Sequence, residues 1–156
     1  MKREDKYPDT HTFHYYNANP HNKLAGDCVI RALCTALDQS WEQTLTELTE
    51  VGLKYGYVPN DKACYAKYLE KKGWKKYKQP KRDDNTKFTG KEFCQYLKKY
   101  SDGSFYPQSI KGNVIAHIGG HHTVAFVEEN KGNYRLYDTW NSTDGCIGNY
   151  WVKVCE

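Results

Sequence analysis

Three short stretches carry the side chains that could do covalent chemistry. LAGDCVIRALCTAL (24–37) hands one cysteine, Cys28, to the point where a loop becomes a helical apolar pattern. GGHHTVAFV (119–127) leads two adjacent histidines, His121 and His122, into a strand-like run. LYDTW (136–140) sets an acid, Asp138, at the end of another such run. A thiol, an imidazole and a carboxylate are the nucleophile, the base and the orienter of the base in thiol catalysis. The reactive form is the thiolate, and a free cysteine with a pKa of ~8.5 is mostly protonated at neutral pH. The first turn of a helix offers unpaired N–H groups and the positive end of the macrodipole. Both favour a thiolate at Cys28, and a neighbouring imidazolium would favour it further. Asp27 occupies the N-cap position, where its carboxylate would accept backbone N–H groups. Turned toward the sulfur instead, it would oppose ionisation.

Elements must hold these residues together. Val29, Ile30, Leu33, Ala36 and Leu37 recur at helical spacing after Cys28. Ser40 with Gln43 makes a capping box for a second helix that Gly52 weakens and Gly56 ends. Asn60 or Asp61 can cap a third helix, with Gly73 as its stop. Thr89 with Glu92 makes another capping box, for a fourth helix ending near Gly103. After residue 104 the period changes. NVIAHI, HHTVAFV, NYRLYDTW and NYWVKV are β-branched and aromatic runs parted by Gly, Asn and Asp, and EENKGN reads as a hairpin loop. Residues 1–22 read as an extended arm. The expectation is one α+β domain over 1–156, with N-terminal helices packed on a C-terminal antiparallel sheet. Asp138 follows His122 by 16 positions and one hairpin, so an antiparallel neighbour strand can return it to the histidine. Alternation puts His122 with Val124 and Phe126, and His121 with Thr123 and Ala125. Periodicity by itself does not choose between the two histidines.

At these residues the chain resembles the papain-like cysteine peptidases. HTVAFV is similar to their histidine strand, and DTWNSTDGCIGNYWVKV to their Asn, Ser-Trp-Gly and glycine-rich run into a final strand. The order Cys, His, then acid or amide is also theirs. The resemblance implies a papain-like fold with Cys28 as nucleophile and His122 as base. Asp138 stands where the family has an orienting Asn, and Trp140 where it has a tryptophan that shields the pair from water. His121 and Trp140 then fall on the substrate side. An oxyanion donor is implied from the loop before the cysteine. Asn22 has the matching offset of six positions, and Asn19 and Asn17 compete with it. The chain departs from papain itself: it reads GDCVI in place of C-G-[SA]-C-[WY]. The Asp in place of Asn is closer to compact bacterial and phage members, to double-glycine peptidases and to transglutaminase-like enzymes.

Composition narrows the remaining classes. No apolar run approaches the ~18 residues of a membrane span. MKREDKYPDTHTFHYY has no apolar signal region, and the six cysteines include no C-x-x-C pair. Reduced thiols in a cytoplasm are therefore expected, with no metal and no cofactor. The substrate expected is a peptide or protein. Amidase, deamidase or acyl-transferase chemistry on the same residues is an alternative. A non-catalytic binding protein is another, gripping nucleic acid through the basic segment 71–82. That segment holds seven Lys or Arg interleaved with Trp74 and Tyr77. A solvated helix end and edge strand accounts for it more simply, since the net charge is only +4. Cys34, Cys64 and Cys94 read as core thiols.

Overall fold

Side chains that occupy the orphan N–H groups of a first turn decide where several helices begin. The computed structural model describes residues 1–101 and 110–154. The short helix α1 (Arg3–Lys6) and strand β1 (Phe13–Tyr15) precede α2 (Cys28–Leu37), α3 (Trp41–Tyr55) and α4 (Lys62–Lys71). Strand β2 (Trp74–Tyr77) and α5 (Gly90–Tyr100) follow, then β3 (Val114–Ile118), β4 (His122–Asn130), β5 (Asn133–Asp138) and β6 (Ile147–Lys153). Ser40 Oγ accepts the Gln43 N–H at the start of α3, and the Asp61 carboxylate accepts the Ala63 N–H at the start of α4. Thr89 and Glu92 form a complete reciprocal box at the start of α5. Gly56, at φ +81°, ends α3 in the left-handed conformation that a glycine tolerates. The stop expected at Gly103, and Cys155, lie outside the described residues.

The strands form one six-stranded sheet in the order β1-β5-β4-β3-β6-β2. It is mixed rather than antiparallel, because β1 pairs parallel to β5, with Phe13 opposite Leu136 and Tyr15 opposite Asp138. The arm expected over residues 1–22 is thus partly an edge strand. Phe13 is its anchor: the ring is fully buried, and an arm with one large apolar side chain can dock where the rest of its sequence is polar. The other edge is β2, whose exposed Lys75 and Lys76 discourage pairing with a second chain.

Both faces of the sheet are covered, and strand alternation divides the core accordingly. Val114, Ala116, Ile118, Val124, Phe126 and Leu136 share a cluster with Phe93 and Leu97 of α5. The intervening Ile115, Ala125 and Trp151 share the other with Val29, Leu33, Leu48, Tyr65 and Leu69 of α2 to α4. Helix α2 therefore lies against the central strands, its N-terminus at the end of the sheet where β4 begins and β5 stops. Among the described residues, no helix is long and apolar enough to cross a membrane.

Candidate active site

The loop before α2 turns at Gly26, whose φ of +66° favours glycine, and delivers Cys28 as the first helical residue. Asp27 does not cap the helix with its side chain. Its Oδ1 accepts from Arg31 Nε at 2.9 Å, and its Oδ2 accepts from Trp41 Nε1 at 2.9 Å and Asn19 Nδ2 at 3.1 Å. Three donors outcompete the helix N–H groups, because Arg31 lies one turn on and on the same side of α2. Burial works to raise the Asp27 carboxyl, yet these hydrogen bonds and the Arg31 charge hold it below the usual range. The acid beside the nucleophile is thereby neutralised by the helix that carries both.

Arg31 continues the chain of charges across to the sheet. Its Nη1 donates to Asp138 Oδ1 at 2.6 Å, and the Thr139 N–H donates to the same oxygen at 2.7 Å. Asp138 Oδ2 accepts from His122 Nε2 at 2.5 Å. The carboxylate is 2% exposed, so it leaves water only because a guanidinium and an imidazole replace it. The β4–β5 ladder ends at Ala125 opposite Tyr137. Continued in register, it puts Trp140 across from His122 and Asp138 on the neighbouring diagonal. The Trp140 ring accordingly lies 5.2 Å from the His122 ring, centroid to centroid. Gly119 and Gly120, both at positive φ, make the turn that starts β4 at His122. With Nε2 committed to Asp138, Nδ1 is the nitrogen left for the thiol.

Electrostatics separate the half-buried Cys28 from the buried thiols. Burial pushes it up, but hydrogen bonding to His122 and to the Thr123 N–H, with the charges of His122 and Arg31, brings it below its ordinary value. Burial pushes Cys34 up to about 11 and Cys94 up to about 12, and it also raises Cys64. Burial works downward on His122, and the bonds and charges of Asp138 and Cys28 outweigh it and raise the imidazole to about 9. A lowered thiol against a raised imidazole favours the thiolate–imidazolium pair over the neutral pair.

The remaining candidates are placed as follows. Asn19 is buried and its amide nitrogen is bonded to Asp27, so it positions the acid. Asn17 donates to the Asn22 side-chain oxygen at 3.3 Å and to the Lys23 carbonyl at 3.2 Å. Asn22 is exposed, and its side-chain oxygen faces Asn17, which leaves its amide nitrogen as a donor. The Cys28 N–H, at the first helical position, is the backbone donor of the same region. His121 is exposed in the turn and does not join the cluster. No group of three His, Cys, Asp or Glu among the described residues is arranged to hold a metal ion.

Arg31 and Tyr65 are the site residues that sequence reasoning missed. Arg31 had a signal: it is the one charge inside the apolar run CVIRALCTAL. Tyr65, in α4, had no signal in the sequence that set it apart from the other tyrosines; its hydroxyl is hydrogen-bonded to His117 Nε2. No family model, no curated protein and no solved structure matches this chain.

Proposed function

We propose that this protein is a cysteine-dependent amide hydrolase with a papain-like arrangement, acting on a peptide or protein. The observation that carries the reading is the linked set Cys28–His122–Asp138, in which the thiol is lowered and the imidazole raised. Structural cysteines in cores are raised by burial, as Cys34 and Cys94 are here. A half-buried thiol with the opposite shift, at a helix start and beside an anchored histidine, is suited to attack a carbonyl. The helix-borne thiol set against a strand-borne base supports the papain-like assignment.

In this mechanism Cys28 Sγ adds to the carbonyl carbon. The Cys28 N–H and the Asn22 side-chain amide take the developing oxyanion. His122 Nδ1 gives its proton to the leaving nitrogen as the C–N bond breaks, and a thioester remains on Cys28. Water enters, His122 takes one of its protons, and hydroxide addition releases the acid and the thiol. Asp138 keeps the ring oriented throughout and offsets its positive charge. Trp140 limits water at the ring. The chemistry suits a reducing, cytoplasmic setting, since the nucleophile must stay a free thiol; Cys28, Cys34, Cys64, Cys94 and Cys146 are free.

Limiting iodoacetamide at pH 6, with the modified cysteine mapped by mass spectrometry, tests the first step. Cys28 is expected to react ahead of every other cysteine, including the exposed Cys146. A rate no faster than theirs refutes the activated thiolate. A fluorogenic peptide-amide library tests turnover, with Cys28→Ser as the blank.

A further inference from the structure

Beside this site lies a cleft of about 520 Å³ between α4 and strands β2, β3 and β6. Its charge is one-sided. Lys62, Lys76 and Lys87 line it together with His117, Gln79 and Asn149, and no carboxylate does. None of the three lysines forms an ion pair among the described residues. Other clefts that hold lysines also hold acids: Glu128 in one, Asp84 and Glu92 in another, Glu47 and Glu70 in a third. The nearest acid to Lys62 in sequence, Asp61, is engaged as the N-cap of α4. The positive field reaches inward: after burial, the charges of Lys62 and Lys76 are the causes that depress His117, which falls to about 4.

The cleft also has uncommitted donors and a route to the nucleophile. Asn149 Oδ1 accepts the Gln79 N–H at 3.1 Å, while Gln79 Nε2 donates to the Ile147 carbonyl at 2.7 Å. This leaves the Asn149 side-chain nitrogen as a donor in a cleft of cations. His117 Nδ1 is buried with no partner among the described residues. Tyr65 in the cleft wall lies near enough to Cys28 for the charge of the thiolate to act on its hydroxyl, and His117 pairs across the β3–β4 ladder with Thr123, the neighbour of His122. The turn residues Gly119 and Gly120 line the same cleft and lead through His121 to His122.

We propose that this cleft is the specificity site of the hydrolase and receives an acidic side chain, Glu or Asp, close to the bond that Cys28 attacks. The proposal rests on the function proposed above. Three lysines around a recess of this size match one carboxylate-bearing side chain, with the Asn149 amide as an additional donor. A polynucleotide would need a basic track with exposed aromatic faces for stacking; here Trp74 of the basic segment is buried in the core.

Two measurements test it. The first is binding to the Cys28→Ser protein of two capped pentapeptides, alanine with a central Glu or a central Gln, followed by NMR shifts at His117 and Asn149. We expect the Glu peptide to bind about tenfold more tightly, as three partly solvated pairs allow. The preference should vanish in the triple variant Lys62→Gln, Lys76→Gln, Lys87→Gln and shrink in high salt. Equal binding of the two peptides, or shifts elsewhere, overturns the proposal. So does an octanucleotide of single-stranded DNA that displaces the Glu peptide with higher affinity. The second is iodoacetamide labelling of Cys28 in the wild type and the triple variant, expected at equal rates. Slow labelling in the wild type refutes the hydrolase reading and with it this one, whereas fast labelling without a Glu preference refutes the specificity site alone.

Discussion

His117 and His122 lie five positions apart on neighbouring strands, and the protein drives them in opposite directions. Burial works downward on both. On His117 the charges of Lys62 and Lys76 add to it, giving about 4. On His122 the bonds and charges of Asp138 and Cys28 reverse it, giving about 9. The nearest polar partner makes the difference. His122 meets a carboxylate anchored by Arg31, whereas His117 meets the Tyr65 hydroxyl, which burial raises to about 12 and so keeps protonated. One imidazole is poised as a cation beside a thiol, and the other is held neutral beside a cleft of cations. A half-buried histidine takes its character from the partner of its Nε2 more than from its depth.

The contrast breaks most severely at Arg31. Arg31→Met leaves Asp27 and Asp138 buried without their shared cation, and urea unfolding should show a loss of about 3–5 kcal/mol. Arg31→Lys should restore only part of it, because one ammonium cannot address both carboxylates with the planar fork of a guanidinium. A loss under 1 kcal/mol for Arg31→Met would mean that the two acids are not held as described.

His122→Ala acts on reactivity rather than on folding. Without the imidazolium, Cys28 should behave as an ordinary thiol, and its alkylation at pH 6 should slow by roughly 10²-fold, the order set by the thiolate fraction. His121→Ala should leave the rate within about twofold, since His121 stands outside the cluster. The reverse pattern would reassign the base. Asp138→Asn should fall between them, with the His122 titration, followed by NMR, moving down from about 9 toward its ordinary value.

The smallest and most diagnostic difference is in the pH dependence of stability. The folded pKa of His122 lies above its unfolded value near 6.5, so its contribution is complete below that pH and is lost as pH rises through about 9. The folded pKa of His117 lies below the same unfolded value. The unfolded chain then binds more protons between about 4 and 6.5, and stability falls as pH drops through that window. His122→Gln should flatten the alkaline limb and His117→Gln the acid limb of the curve of stability against pH. Identical curves for the two variants would erase the distinction between the sites.

Helix starts were legible because they depend on neighbours in sequence. Ser40, Asp61 and Thr89 reach their N–H groups within three residues, and no long-range contact is needed. The strand runs and the β4–β5 hairpin were legible for the same reason, and the register that follows sets Asp138 diagonal to His122. Strand β1 was not: FHY carries one strongly apolar residue, and only the exposed edge of β5 makes it a strand. The part played by Asp27 was misread because a cap competes with every donor nearby, and Trp41 and Asn19 come from elements the local pattern does not place there.

Residue type and order by themselves determined that a thiol at a helix start, a histidine in a strand and an acid in the next strand exist in this chain, along with the elements that bear them. Local hydrogen bonds and side-chain periodicity are sufficient for that. Only the tertiary structure decided which nitrogen of His122 faces Asp138, that Arg31 joins both acids, that Asp27 is held by Arg31, Trp41 and Asn19, and that three lysines from distant segments line one cleft. Those outcomes depend on which charges are brought together out of water. Spacing along the chain does not encode that meeting until the sheet and the helices have packed.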